Sequence, residues 1–176
     1  DGGSRGNPGP AGSGAVVINA DTGEVILEIA KFIGVATNNV AEYVALIAGL
    51  QAVLEINPGA SVLVRMDSKL VIEQMSGGWK IKHPDMQVLA IEAQKLVVGK
   101  TVVWQWIPRE ENSRADALAN IAMDSENSVV KYLETEPEVT GATVEFSKTR
   151  PGSVRAPGEV TEPVTTFILV RHGRTP

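Results

Sequence analysis

SVLVRMDSKLVIEQM, residues 61–75, decides the fold. Its first six residues carry little polarity, which predicts a strand covered on both faces. Ser68 can cap a helix running to about Met75. Asp67 therefore falls at the carboxyl end of a strand, just before a helix. Open α/β sheets place their sites there.

Upstream, residues 13–20 and 24–33 are β-rich runs, and Asp21-Thr22-Gly23 reads as the turn between them. Residues 40–56 carry Tyr43, Val44, Ile47, Leu50, Val53 and Leu54 at helical spacing, and Asn57-Pro58-Gly59 ends that helix. Downstream, Gly77-Gly78 breaks the helix after Asp67, and Pro84 opens another to about Val98. Residues 101–107 predict a strand, and 112–124 a last helix. Two hairpin strands followed by α/β alternation imply a mixed sheet with helices packed on it. Trp104 and Trp106 share one face of their strand and are expected in the core.

Four acids stand in comparable settings: Asp1 in a Gly-rich opening, Glu42 near a helix start, Asp67, and Asp116 one turn into the last helix. Each alone has an ordinary explanation, such as a favourable helix-start charge. Together they suggest one acidic cluster, which cannot stay ionised at close range without cations. Hard divalent ions with oxygen ligands suit it, Mg²⁺ first and Mn²⁺ as the alternative. Two such ions, roughly 3.5–4 Å apart, are a standard device for phosphodiester cleavage.

The bulk properties agree. The 176 residues fit one domain plus an extension, and a hydrophobic fraction of 43% is ample for a core. No run of about 18 uninterrupted apolar residues predicts a membrane span. The absence of Cys rules out disulfides and thiolate metal sites and fits a cytoplasmic protein. The net charge of −5 looks wrong for a polyanion binder. Many acids, however, lie in residues 126–176 or among the proposed ligands, so a few placed Lys and Arg would carry modest affinity.

DGGSRGNPGPAG (1–12), TNNVAEY (37–43), MDSKLV (66–71) and NSRADALAN (112–120), in that order, resemble the type 1 ribonuclease H family over roughly residues 1–125. The resemblance implies a five-stranded mixed sheet flanked by helices. It also implies hydrolysis of the RNA strand of RNA–DNA hybrids with two Mg²⁺ ions, leaving a 5′-phosphate and a 3′-hydroxyl. The acidic quartet carries over to Asp1, Glu42, Asp67 and Asp116. Asn7, Asn39 and Lys69 match positions that read the minor groove and the RNA 2′-hydroxyl, the group that separates RNA from DNA. Thr37 and Asn38 match the region gripping the DNA-strand phosphate. Trp79, Lys80 and Lys82 stand where some members carry a long basic handle, and are candidates for contact with the DNA strand. His83, before Pro84, reads as structural. Double-stranded RNA is a second candidate substrate, and a catalytically silent hybrid-binding module is the rival from another class.

Two departures bear on this. The family has a strand before the first Asp, usually central in the sheet, whereas Asp1 is the first residue here; the expectation is a first strand cut from a longer chain. The loop before Asp116, residues 107–112, lacks the His that many members carry, with Arg109 or Glu110 in its place.

These features divide the chain into a ribonuclease H-like domain over 1–126, a linker over 127–164, and the opening of a second α/β domain over 165–176. FILVRHGRT (167–175) resembles the first strand and loop of the histidine phosphatase superfamily. That resemblance implies His172 as the phosphate-accepting nucleophile and Arg171 as a phosphate-binding residue, acting on a phosphorylated small molecule. The second His and the acid of such a site are missing from these 176 residues, so phosphatase activity is expected only of a longer chain.

Overall fold

The computed structural model describes residues 7–133 and the backbone strand of residues 165–172. In chain order the elements are β1 (Gly9–Asn19), β2 (Val25–Ala36), α1 (Asn38–Ile56), β3 (Ser61–Met66), α2 (Lys69–Met75), α3 (Pro84–Val97), β4 (Val102–Trp106), a 3-10 turn (Arg109–Asn112), α4 (Ser113–Ser125), β5 (Val129–Tyr132) and β6 (Thr165–His172). The strands form one mixed sheet in the order β4-β3-β6-β1-β2-β5. β4, β3, β6, β1 and β2 make five strands of it, with β6 from the segment expected to open a second domain, and β5 adds the edge beside β2.

β1 and β2 form the expected hairpin around residues 20–24, with Gly23 at a φ of 75°. That left-handed conformation is open to glycine at little cost. Thr37 caps α1: its hydroxyl accepts from the Val40 N–H at 3.3 Å. α1 is the core helix, with Tyr43, Leu46, Leu50 and Val53 fully buried among Val17, Leu27, Val62, Val64 and Met66 of the sheet. It is long and apolar enough to cross a membrane by length and composition alone, yet 56% of that stretch is buried inside the fold.

β3 alternates instead of burying both faces. Val62, Val64 and Met66 are buried, while Ser61, Leu63 and Arg65 are half-covered. On that half-covered face the Arg65 guanidinium reaches Glu111 at 2.8 Å, so the face carries a charge as well as Leu63.

The expected linker does not begin at residue 127. Val129–Tyr132 is a strand paired antiparallel with β2, Ile29 facing Val130. Three of its four residues are β-branched or aromatic, and the outer edge of β2 offers backbone donors and acceptors to match. Residues 134–164 lie outside the described residues. The expected strand at 165–170 forms over Thr165–His172, and its place is the centre of this sheet. β6 runs antiparallel to β1, with Ser13 facing His172, and parallel to β3, with Met66 facing Val170. β1 and β3 each need a partner on their facing edges, and β6 matches both.

Candidate active site

β1 carries the row against which the helices bearing Glu42 and Asp116 are packed. On one face, the buried hydroxyl of Ser13 donates to the Ala41 carbonyl at 2.8 Å. This pins the first turn of α1, and with it Glu42, which is only 4% exposed. On the other face, α4 lies against Gly12 and Gly14. A Cβ on Gly12 would come within 2.6 Å of the Ala119 carbonyl oxygen, and one on Gly14 would collide with the Ala115 carbonyl. Only glycine admits the helix at this depth, and Asp116 follows Ala115 directly. Arg114 of α4 also donates from Nε to Glu28 of β2.

The sheet register brings in the third acid. Gly14 faces Arg171 of β6, and Val170 faces Met66. Asp67 therefore leaves β3 level with Ser13 and Gly14, two strand spacings away, or about 10 Å across the sheet. The main chain at Glu42, Asp67 and Asp116 thus comes to the same level of the sheet, from three elements.

Asp67 is held there by its neighbours. The Asn112 side-chain amide donates from Nδ2 to Asp67 Oδ1 at 2.7 Å, and the Trp106 indole donates to the Asp67 carbonyl at 3.2 Å. Trp106 thus departs from the expected core position: it is 49% exposed, because its ring lies over the end of β3 with its N–H turned to that carbonyl. Trp104 does pack against the core. Arg109 sits 3.9 Å from the Asp116 carboxylate. Arg109 is the side chain standing where the resemblance leads one to expect the loop His.

Asp1 lies outside the described residues, as do the side chains of Arg171 and His172. Among the described residues, no group of three or more His, Asp or Glu side chains closes into a metal site by itself. The donor chemistry nevertheless suits a hard divalent ion: three carboxylates from three elements, one of them buried, with no nitrogen or sulfur ligand among them.

The nucleic-acid candidates lie at the start of α1, at the start of α2 and in the loop that follows α2. Asn7 Oδ1 accepts from the Asn38 backbone N–H at 3.4 Å, joining the opening loop to the start of α1. Asn39 and Lys69 are exposed at two helix starts, and Trp79, 48% exposed, lies with exposed Lys80 and Lys82 in the loop after α2. His83 is structural, as its position before Pro84 suggests: its Nδ1 accepts from the Asp85 N–H and caps α3. Sequence reading passed over Asn112 and Gly14. The signal for Asn112 was its place just before the last helix, an ordinary capping position; yet its side chain makes no capping hydrogen bond.

The reverse transcriptase-like family matches residues 1–122. A solved structure of the N-terminal RNase H domain of Rv2228c from Mycobacterium tuberculosis, fused to maltose-binding protein, is 56% identical; the match covers 71% of this chain and 90% of that one, with a TM-score of 0.65. The chain belongs to the ribonuclease H family. A second solved ribonuclease H, LC11-RNase H1 in complex with an RNA/DNA hybrid, is 41% identical with a TM-score of 0.66, covering 72% of this chain and 94% of that one. The bifunctional protein Rv2228c of Mycobacterium tuberculosis is 48% identical over 176 residues, which are 99% of this chain and 46% of that protein. This ribonuclease H chain thus spans about half the length of that curated relative.

Proposed function

We propose that this domain is an endonuclease that hydrolyses the RNA strand of RNA–DNA hybrids. The observation that supports the proposal is membership of a family with a member solved on a hybrid, together with the level of the sheet, at Ser13 and Gly14, that the main chain at Glu42, Asp67 and Asp116 shares. In this reading Asp1, Glu42 and Asp67 hold one Mg²⁺, and Asp1 and Asp116 hold a second. The ions, when bound, make water a better nucleophile and steady the leaving 3′-oxygen. The chain itself does the rest. The carboxylates fix where the scissile phosphate can sit. Asn7, Asn39 and Lys69 face the minor groove and select the strand bearing 2′-hydroxyls. Thr37, Asn38, Trp79 and Lys80 contact the DNA strand. The setting is the cytoplasm.

The test is cleavage of a labelled hybrid by the full-length protein, with and without Mg²⁺, beside Asp67→Asn. Single- and double-stranded RNA serve as controls. Metal-dependent cutting of the RNA strand, lost in the variant, is expected. Hybrid binding without any cutting would leave a binding module instead.

A second activity is proposed for the longer protein only. The 48% identical relative is named bifunctional, and FILVRHGRT at residues 167–175 carries the phosphatase resemblance. In that reading residues 127–164 include the linker, and 165–176 open a second domain with His172 as nucleophile and Arg171 on the phosphate. Residues 165–172 cannot do this while they form the centre of the present sheet, so the two placements exclude each other within one molecule.

A further inference from the structure

We propose that Asn112 is a positioning residue that sets the Asp67 carboxylate for metal binding and couples it to Asp116. The inference rests on the reading of the acids as metal ligands and goes beyond it.

Asn112 is 1% exposed and ends the 3-10 turn that leads into α4. An Asn in front of a helix ordinarily caps it, but this side chain makes no capping bond. Its amide is spent on Asp67 Oδ1 at 2.7 Å instead. That bond fixes the plane of the carboxylate and commits one oxygen, which leaves the other in a single orientation. A neutral donor does this without cancelling the negative charge, as an Arg or Lys would. Groups that orient a ligand in this way commonly govern metal affinity.

The turn holding Asn112 is itself fastened to the end of β3. The Ile107 N–H donates to the Met66 carbonyl at 2.9 Å, and Arg65 pairs with Glu111 at 2.8 Å. Asp116 lies one helical turn beyond Asn112. One buried amide therefore ties the acid at the end of β3 to the helix bearing another acid. Losing it removes one restraint on the Asp67 side chain and loosens the tie between Asp67 and the helix bearing Asp116.

The test uses the full-length protein free of substrate, titrated with Mn²⁺ by calorimetry. Asn112→Ala removes the donor; Asn112→Leu removes it while keeping the volume. Both are expected to raise the Mn²⁺ dissociation constant about 10–100-fold. The Mg²⁺ half-saturation of hybrid cleavage should rise in parallel, with the KM for hybrid unchanged. A merely structural role would lower the melting temperature and the active fraction without moving either metal constant. Asp67→Asn separates the two ideas. If it binds Mn²⁺ as the wild type does, the metal reading falls. If it loses Mn²⁺ while both Asn112 variants keep wild-type affinity, only the positioning role falls. Should neither variant fold, the wild-type Asn112 side-chain amide resonances decide: a shift on adding Mg²⁺ supports the proposal, and no response overturns it.

Discussion

Gly14 of β1 and Ala115 of α4 are in backbone contact: a Cβ on Gly14 would occupy the space of the Ala115 carbonyl oxygen. This contact sets the depth of α4 on the sheet and hence the height of Asp116 above it. Gly14→Ala is expected to push the helix outward. Overpacking at such a site costs about 1–3 kcal/mol. Cleavage should fall more than stability does, since Asp116 moves with the helix. Urea unfolding and hybrid cleavage, measured on the same preparation, check this. Unchanged activity would mean that the helix position is not limiting.

Tyr43 is fully buried, and its hydroxyl donates to Gln74 Oε1 at 2.7 Å, joining α1 to α2. Burial pushes its pKa up from 10.0 to about 12. The folded state therefore holds this proton more tightly than the unfolded chain. The resulting stability is fully present below about pH 10 and is lost as the pH rises towards 12, a fall of the order of 2–3 kcal/mol. Tyr43→Phe should cost about 1–3 kcal/mol at neutral pH by leaving the Gln74 acceptor unmatched. It should also flatten the alkaline decline. Thermal melts of both proteins between pH 8 and 11, bounds chosen around the ordinary tyrosine range, compare the slopes.

Thr37 has two claims on it, the α1 cap and the proposed grip on a DNA phosphate. Thr37→Ala should cost about 1 kcal/mol through the lost cap. Thr37→Asp keeps a capping oxygen and adds a negative charge near the helix start, so stability should return. A phosphate contact would still be repelled, and the KM for hybrid should rise in Thr37→Asp. A KM that follows stability in both variants would make Thr37 a cap and nothing more.

β6 supplies the only pairing that β1 and β3 make on their facing edges among the described residues. Removing residues 165–176 from this 176-residue chain should abolish cooperative unfolding, because two strands lose their shared partner. Far-ultraviolet circular dichroism during a urea titration shows this directly. A truncated chain that melts as sharply as before would mean that something else fills the centre of the sheet.

Much of the fold was legible. The β1–β2 turn, the ends of α1 and α3, and the switch from strand to helix at Asp67 rest on signals within a few residues, and the structure places them as read. The role of His83 was legible too, as the cap of α3. Trp106 was misjudged because alternation along a strand shows which residues share a face, not how much of that face another element covers. β5 was missed because four residues, all of them exposed, leave no periodic pattern.

The sequence by itself determined the order of the elements from β1 to α4 and the setting of Glu42, Asp67 and Asp116 at a helix start, a strand end and a helix's first turn, because caps, turns and apolar periods act over short stretches of chain. Only the tertiary structure decided that the main chain at Glu42, Asp67 and Asp116 comes to the same level of the sheet, that Asn112 serves Asp67 from 45 residues away, and that Gly14 exists to admit Ala115. Those relations depend on strand register and on the depth at which a helix settles. Both are set by packing between segments that carry no local mark of one another.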